Sequence, residues 1–293
     1  MSDLFNKSRK LRRAVGLAIL LFSTCFIAIS CGKAPDSAST ASTGGGSSVH
    51  EVIVATEDDY PPFDFLQDGK HVGYNQALLE FVAKTKSLNI KQDIVPFQAI
   101  LAGIASGKYQ ATNSAVGMNK QRAEAVDFTM PTTELTNFIL TRKDDTSVKS
   151  VDDLASKTIA VQQGGITAAV LENSVKPQLA KAGKQVGKVK QYDAFAEAYQ
   201  DLLNQRVDVV FNNLIALKRL VNEKPNLYKI GEQVGPKIYA GWAVKKGNKE
   251  MLALLNEGLA KAKASGEMKQ LQEKWLKVSF SNLPNQPVIP NAS

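Results

Sequence analysis

The sequence predicts an α/β protein with mostly parallel sheets covered by helices. From Val49 onward, short runs rich in β-branched residues alternate with stretches of helical apolar spacing. No fixed-period repeat or heptad run breaks that alternation. The length of 293 residues and hydrophobic content of 44% suffice for two modest domains, or one large one, with a sizeable core.

The first strand is expected at residues 51–56 (EVIVAT), and a helix at 77–86, where Leu78, Leu79, Phe81 and Val82 are apolar. Residues 90–96 read as strand, 98–106 as helix and 109–114 as strand. Ser150, Val151, Asp152 and Asp153 make a helix start, followed by a strand at 158–162. A helix at 166–179 should be interrupted late by Pro177. Residues 195–204, 207–211 and 214–222 continue the alternation, and 249–277 are helical with a break at Ser265 and Gly266. Residues 281–293, with three prolines, read as an irregular tail. Ligands of such sheets gather beyond the carboxyl ends of the strands.

Before Val49 the composition changes. Residues 1–30 contain Lys7, Arg9, Lys10, Arg12 and Arg13 against Asp3, so +4 of the net +8 lies there. The remaining +4 is spread without a basic block, which argues against nucleic acid as a partner. Residues 14–30 (AVGLAILLFSTCFIAIS) are apolar or small, short for a membrane span, and basic only on their N-terminal flank, as in an export signal. The run ends at Ala28, Ile29, Ser30 and Cys31, which resembles a lipobox, where bacteria attach lipid to the cysteine and cut before it. An uncleaved signal anchor is the alternative. Residues 32–48 (GKAPDSASTASTGGGSS) read as a flexible tether holding the globular part off a membrane.

The only cysteines are Cys25 and Cys31, and cleavage with lipidation at Cys31 leaves no disulfide or thiol catalyst. The only histidines are His50 and His71, too few for a metal cluster or a Ser-His-Asp set. No cofactor is expected.

Three segments have the logic of a ligand clamp. Arg122 follows a small, polar stretch after a strand, and its planar fork suits a carboxylate, with Gly117 allowing close backbone approach. The alternative is a surface helix residue facing Glu124 or Asp127. Gly164, Gly165 and Ile166 lie between a strand and a helix, where free N–H groups suit an anion, although such a junction is also a common turn. Tyr60 and Phe97 each follow a strand and could sandwich a ligand or simply pack in the core.

Five stretches together carry a resemblance to a known family: VATEDDYPPFDFLQDGKHVGY (54–74), ILAGIASGKYQATNSAVGMNKQRAEAVDFTMP (100–131), SVDDLASKTIAVQQGG (150–165), NQRVDVVFNN (204–213) and WAVKKGNKEMLALLNEGLAKAKASGEMKQLQEKW (242–275). In order and spacing the chain resembles the polar amino-acid family of periplasmic solute-binding proteins, the receptors of ABC importers. The resemblance implies a type II two-lobe fold, each lobe a mainly parallel sheet with flanking helices, joined by two crossover strands near 133–138 and 238–241. Lobe 1 would comprise residues 49–133 plus 241–280, and lobe 2 residues 134–240.

It also implies roles. Arg122 would clamp the ligand carboxylate with the backbone N–H groups of Gly117 and Ile166, the Ala115 carbonyl would receive the ammonium, and Tyr60 and Phe97 would stack on the side chain. Gly164 and Asn213 would close from lobe 2, and Glu57 stands where the family often has an Asp at the cleft mouth. The family usually has Asp where this chain has Asn213; Asn can accept a hydrogen bond but removes a negative charge. The expectation is a monomeric, lipid-anchored extracytoplasmic receptor that closes on an amino acid or related carboxylate and docks on importer membrane subunits, with no chemistry of its own. Two alternatives remain: an enzyme resembling cyclohexadienyl dehydratase, and a sensor reporting to a membrane partner.

Overall fold

The computed structural model describes residues 51–290. The expected export signal, tether and Cys31 lie outside these residues. The first lobe opens with β1 (Glu51–Thr56) and a small antiparallel meander, β2 (Asp59–Tyr60), β3 (Asp64–Gln67) and β4 (Lys70–Val72). It continues through α1 (Tyr74–Lys86), β5 (Asn89–Ile94), α2 (Phe97–Ser106), β6 (Ala111–Gly117), α3 (Lys120–Ala125), β7 (Val126–Phe128) and β8 (Thr133–Glu134). The second lobe holds β9 (Asn137–Arg142), a 3-10 turn (Val151–Leu154), β10 (Ile159–Gln162) and α4 (Ile166–Val170). α5 (Lys176–Lys181), β11 (Val189–Tyr192), α6 (Phe195–Leu203), β12 (Val209–Asn213), α7 (Leu214–Glu223) and β13 (Tyr228–Val234) follow. β14 (Tyr239–Lys245) returns to the first sheet, before α8 (Lys249–Ala264) and α9 (Glu267–Leu271).

The first sheet has the order β5-β1-β6-β14-β7, with β8 paired to β14, and the second β11-β10-β12-β9-β13. The parallel expectation holds only for β5, β1 and β6 and for β11, β10 and β12, the strands fed by βαβ units. β14 runs antiparallel to its three partners, and β9 to both of its own. These two strands arrive from the opposite sheet rather than from a local crossover helix, so right-handed βαβ winding does not set their direction.

Local chemistry explains where the elements depart from expectation. α1 begins at Tyr74, three residues early, because Tyr74 is buried and its hydroxyl donates to the Thr132 carbonyl at 2.7 Å. Gly73 before it has φ +128°, and a side chain there would collide with the Phe63 carbonyl. β6 extends to Gly117 with all seven residues buried, although ATNSAVG carries little apolar surface. Pro177 does not end its helix. A π-turn at Leu171–Val175 leads into α5, and the proline sits within its first two positions, where its missing N–H costs little. Ser150 and Asp153 form a capping box on the 3-10 turn. Residues 281–290 have no helix or strand, but Leu283 is buried and its carbonyl accepts from Lys263 Nζ at 2.6 Å.

Each lobe has its own core. Ile100, Ile104, Val116 and Met118 pack on one face of the first sheet, and Ile139, Val161, Leu171 and Phe211 on one face of the second. A third cluster runs through both lobes, joining Tyr60 and Phe63 to Phe195 and Val210. Burying each large side chain contributes roughly 1.5–3 kcal/mol. The seam between the lobes is therefore packed as well as hydrogen-bonded.

Candidate ligand-binding site

The site is built where the carboxyl ends of β6 and β10 face each other. Asn119 caps α3, its side chain accepting from the Arg122 N–H at 2.8 Å, which sets Arg122 on the turn facing the seam. Its side chain is buried rather than turned to Glu124 or Asp127, so the surface reading does not hold; Asp127 pairs with Lys246 at 2.9 Å. Arg122 Nη1 donates to the Gly117 carbonyl at 2.8 Å and Nη2 to the Gly164 carbonyl, across the seam, at 2.7 Å. The guanidinium lies 5.5 Å from the Phe97 ring centroid, a cation–π contact, so Phe97 backs the arginine. Burial lowers the guanidinium pKa to about 10, opposed by the charge of Glu57, and the group stays protonated at neutral pH. Among the described residues no carboxylate lies within ion-pair distance of Arg122. A guanidinium has five donors, and two are engaged by carbonyls, leaving three for an anion.

Gly117 and Ile166 meet across the seam. A Cβ on Gly117 would stand 2.8 Å from Ile166 Cγ1, so only glycine permits this approach. Gly164 turns with φ +67°, Gly165 is the N-cap of α4, and Ile166 is its first residue. Ala115 lies in the buried middle of β6. Arg122, Gly164 and Gly165 also line a groove of about 490 Å³.

Tyr60 stitches the lobes. Its ring stacks with Phe63 of its own lobe at 5.2 Å and with Phe195 of the other at 5.3 Å. Its hydroxyl donates to Asn212 Oδ1 at 2.8 Å and accepts from Asn213 Nδ2. Asn213 is the N-cap of α7, its Oδ1 accepting from the N–H groups of Ile215 at 3.0 Å and Ala216 at 3.1 Å. The expected acceptor at Asn213 is thus used by its own helix, and the free end is a donor.

Glu57 is not at a cleft mouth. It is 1% exposed, its Oε2 accepts from Gln162 Nε2 of the other lobe at 3.3 Å, and Oε1 has no hydrogen-bond partner among the described residues. Burial, with Asp64 and Asp59 nearby, raises its pKa well above the usual carboxylate range. Asp64 lies behind it, fully buried, accepting from Asn75 Nδ2 at 2.5 Å, and burial raises its pKa too. His71 Nε2 stands 3.1 Å from the Glu57 carbonyl oxygen and 3.8 Å from Asp64 Oδ1, and burial lowers its pKa.

The fold thus gathers Glu57, Tyr60, Phe97, Gly117, Arg122, Gly164, Ile166 and Asn213 along one seam. Asn212 and Gln162 were missed. Asn212 sits beside Asn213 at the strand end, a polar pair before an apolar helix that is a readable signal; nothing near Gln162 in sequence points to Glu57, 105 residues away. No three His, Cys, Asp or Glu side chains gather as a metal site among the described residues, and none of their helices is long and apolar enough to cross a membrane.

The sequence profile of bacterial extracellular solute-binding proteins, family 3, matches residues 52–278. A "Probable histidine-binding protein" of Campylobacter jejuni is 28% identical over 223 residues, 76% of this chain and 83% of that protein. "ABC transporter arginine-binding protein 1" of Escherichia coli is 26% identical over 238 residues, covering 80% and 93%. Among solved structures, an ancestral arginine-binding protein bound to arginine superposes with a TM-score of 0.70 at 32% identity, covering 77% of this chain and 97% of the other.

Proposed function

Because the chain belongs to family 3 of the bacterial extracellular solute-binding proteins, we propose that it captures an amino acid between its lobes for an ABC importer, with Arg122 as the carboxylate clamp. The observation that carries this reading is Arg122 itself: a buried cation bonded to carbonyls of both lobes, with no acidic partner among the described residues. The ligand carboxylate takes its free donors, helped by the N–H groups of Gly117 and Ile166. Phe97 is the aromatic wall beside Arg122, whereas the Tyr60 ring, expected to stack on the ligand, is already stacked on Phe63 and Phe195 and joins the lobes instead. The Ala115 carbonyl is the first acceptor for a ligand ammonium.

Glu57 is the carboxyl group of the seam in place of one at Asn213, and a cationic ligand group beside it would draw its raised pKa back down and restore its negative charge. Its Oε1, without a hydrogen-bond partner among the described residues, favours a ligand with a cationic or N–H-rich group, as in the arginine and histidine named for the relatives. Only a ligand touching both lobes favours the closed form, which is how occupancy is reported to the importer. The protein works outside the cytoplasm as a monomer, tethered through residues 32–48 to a lipid on Cys31.

Isothermal titration calorimetry against amino acids including arginine, histidine and cystine tests the function. Saturable binding of at least one is expected, and Arg122→Ala should weaken it by at least about tenfold. An unchanged affinity in the variant removes the clamp; no binding across the panel removes the function. Cys31→Ser should release the protein from the membrane fraction of expressing cells.

A further inference from the structure

A further cavity lies away from Arg122. It measures about 770 Å³, within the usual range for small-molecule sites, and neither Arg122, Phe97 nor Tyr60 lines it. Its walls come from both lobes: Pro62 and Trp275 from the first, Phe138 and Ile215 from the second, with Glu134 and Lys237 beside the crossings. Pro62 is two residues from Tyr60 and Leu214 adjoins Asn213, so the cavity abuts the hydrogen bonds that join the lobes.

Its charge is one-sided. Lys218, Arg219, Lys237 and Lys277 line it against Glu134 and Glu223, an excess of two positive charges. Lys237 is paired with Glu134 at 2.6 Å and Arg219 with Glu223 at 2.9 Å. Lys218 and Lys277 have no carboxylate partner among the described residues; Lys277 Nζ donates only to the Lys274 carbonyl at 2.9 Å. Two spare ammonium groups therefore rim a cavity walled by Trp275, Phe138 and Phe280.

We infer that this cavity is a second small-molecule site, for an amphipathic anion with an aromatic or branched body and a carboxylate or sulfonate head. The body packs on the aromatic wall, and the head lies between Lys218 and Lys277. An occupant that contacts both lobes and fits one angle between them better than another would shift affinity in the amino-acid cleft.

The test uses 8-anilinonaphthalene-1-sulfonate as the anion and N-phenyl-1-naphthylamine as its uncharged counterpart. Excitation of tryptophan with emission from the probe reports proximity to Trp275, with Trp275→Phe as control. The anion should bind saturably and more tightly than the neutral probe, and Lys218→Glu/Lys277→Glu should weaken it by about tenfold. The milder Lys218→Gln/Lys277→Gln should weaken it in the same direction, which keeps the test available if charge reversal impairs folding. Arg122→Ala, which disables the cleft, should leave anion binding in place, so this site and the cleft fail separately. Equal affinity for the two probes, insensitivity to both lysine pairs, or loss with Arg122→Ala would each overturn the assignment.

Discussion

Asn213 turns its side-chain oxygen inward to cap its own helix and offers Tyr60 only its amide N–H. An aspartate would cap equally well and leave a second oxygen free as an acceptor. The identity of one atom therefore decides whether the second lobe attracts or repels an ammonium group.

Asn213→Asp should retain the cap and raise affinity for ligands with a free α-ammonium by about tenfold, the value of one charge-assisted hydrogen bond of ~1.5 kcal/mol. Ligands without that ammonium should gain nothing. Calorimetry with an amino acid and its deaminated analogue separates the two cases, and equal gains for both would refute the polarity argument.

Gly117 and Ile166 define how closely the lobes approach. Gly117→Val should clash with Ile166 in the closed form, weakening ligand binding by about tenfold or more, within the usual 1–3 kcal/mol for overpacking. Ile166→Ala in the same chain should restore much of that loss. A double-mutant cycle measures the coupling, and additive effects would place the two residues out of contact.

Arg122→Lys keeps the charge but loses the fork. The planar guanidinium bonds carbonyls of both lobes while retaining donors for a carboxylate, which an ammonium cannot match in geometry. Affinity should fall by about tenfold with little change in thermal midpoint. An affinity equal to wild type would reduce the role of Arg122 to a point charge.

Glu57 and Asp64 make stability depend on pH in an unusual direction. Their folded pKa values are raised by burial, so the folded state holds protons that the unfolded chain has released. Their contribution is fully present below the unfolded carboxylate pKa and is lost as pH rises through the raised folded values. His71, with its pKa lowered, acts oppositely, adding stability as pH rises through its folded value toward the unfolded one. Glu57→Gln should flatten the fall in thermal midpoint above about pH 5, and a slope equal to wild type would show that Glu57 is ionised without penalty.

Much of the scaffold is legible along the chain. β1, α2, β10, α6 and α7 lie within a few residues of their expected positions, because an apolar period marks each of them. The meander β2, β3 and β4 is not legible: its strands are two to four residues long and mostly polar. β9 and β14 are apolar enough to read as strands, but their antiparallel direction follows from arriving out of the other lobe.

By itself the sequence determined the alternation of strands and helices, the family, and the residue types at Arg122, Gly117 and Gly164, since these depend on local period and on motifs of fixed spacing. Only the tertiary structure decided that Glu57 is buried, that Asn213 presents a donor, and that the lysines at 218 and 277 share one cavity. Burial and hydrogen-bond polarity are set by neighbours far along the chain, such as Tyr60 and Asn213, 153 positions apart. Spacing within a segment carries no record of what folds against it.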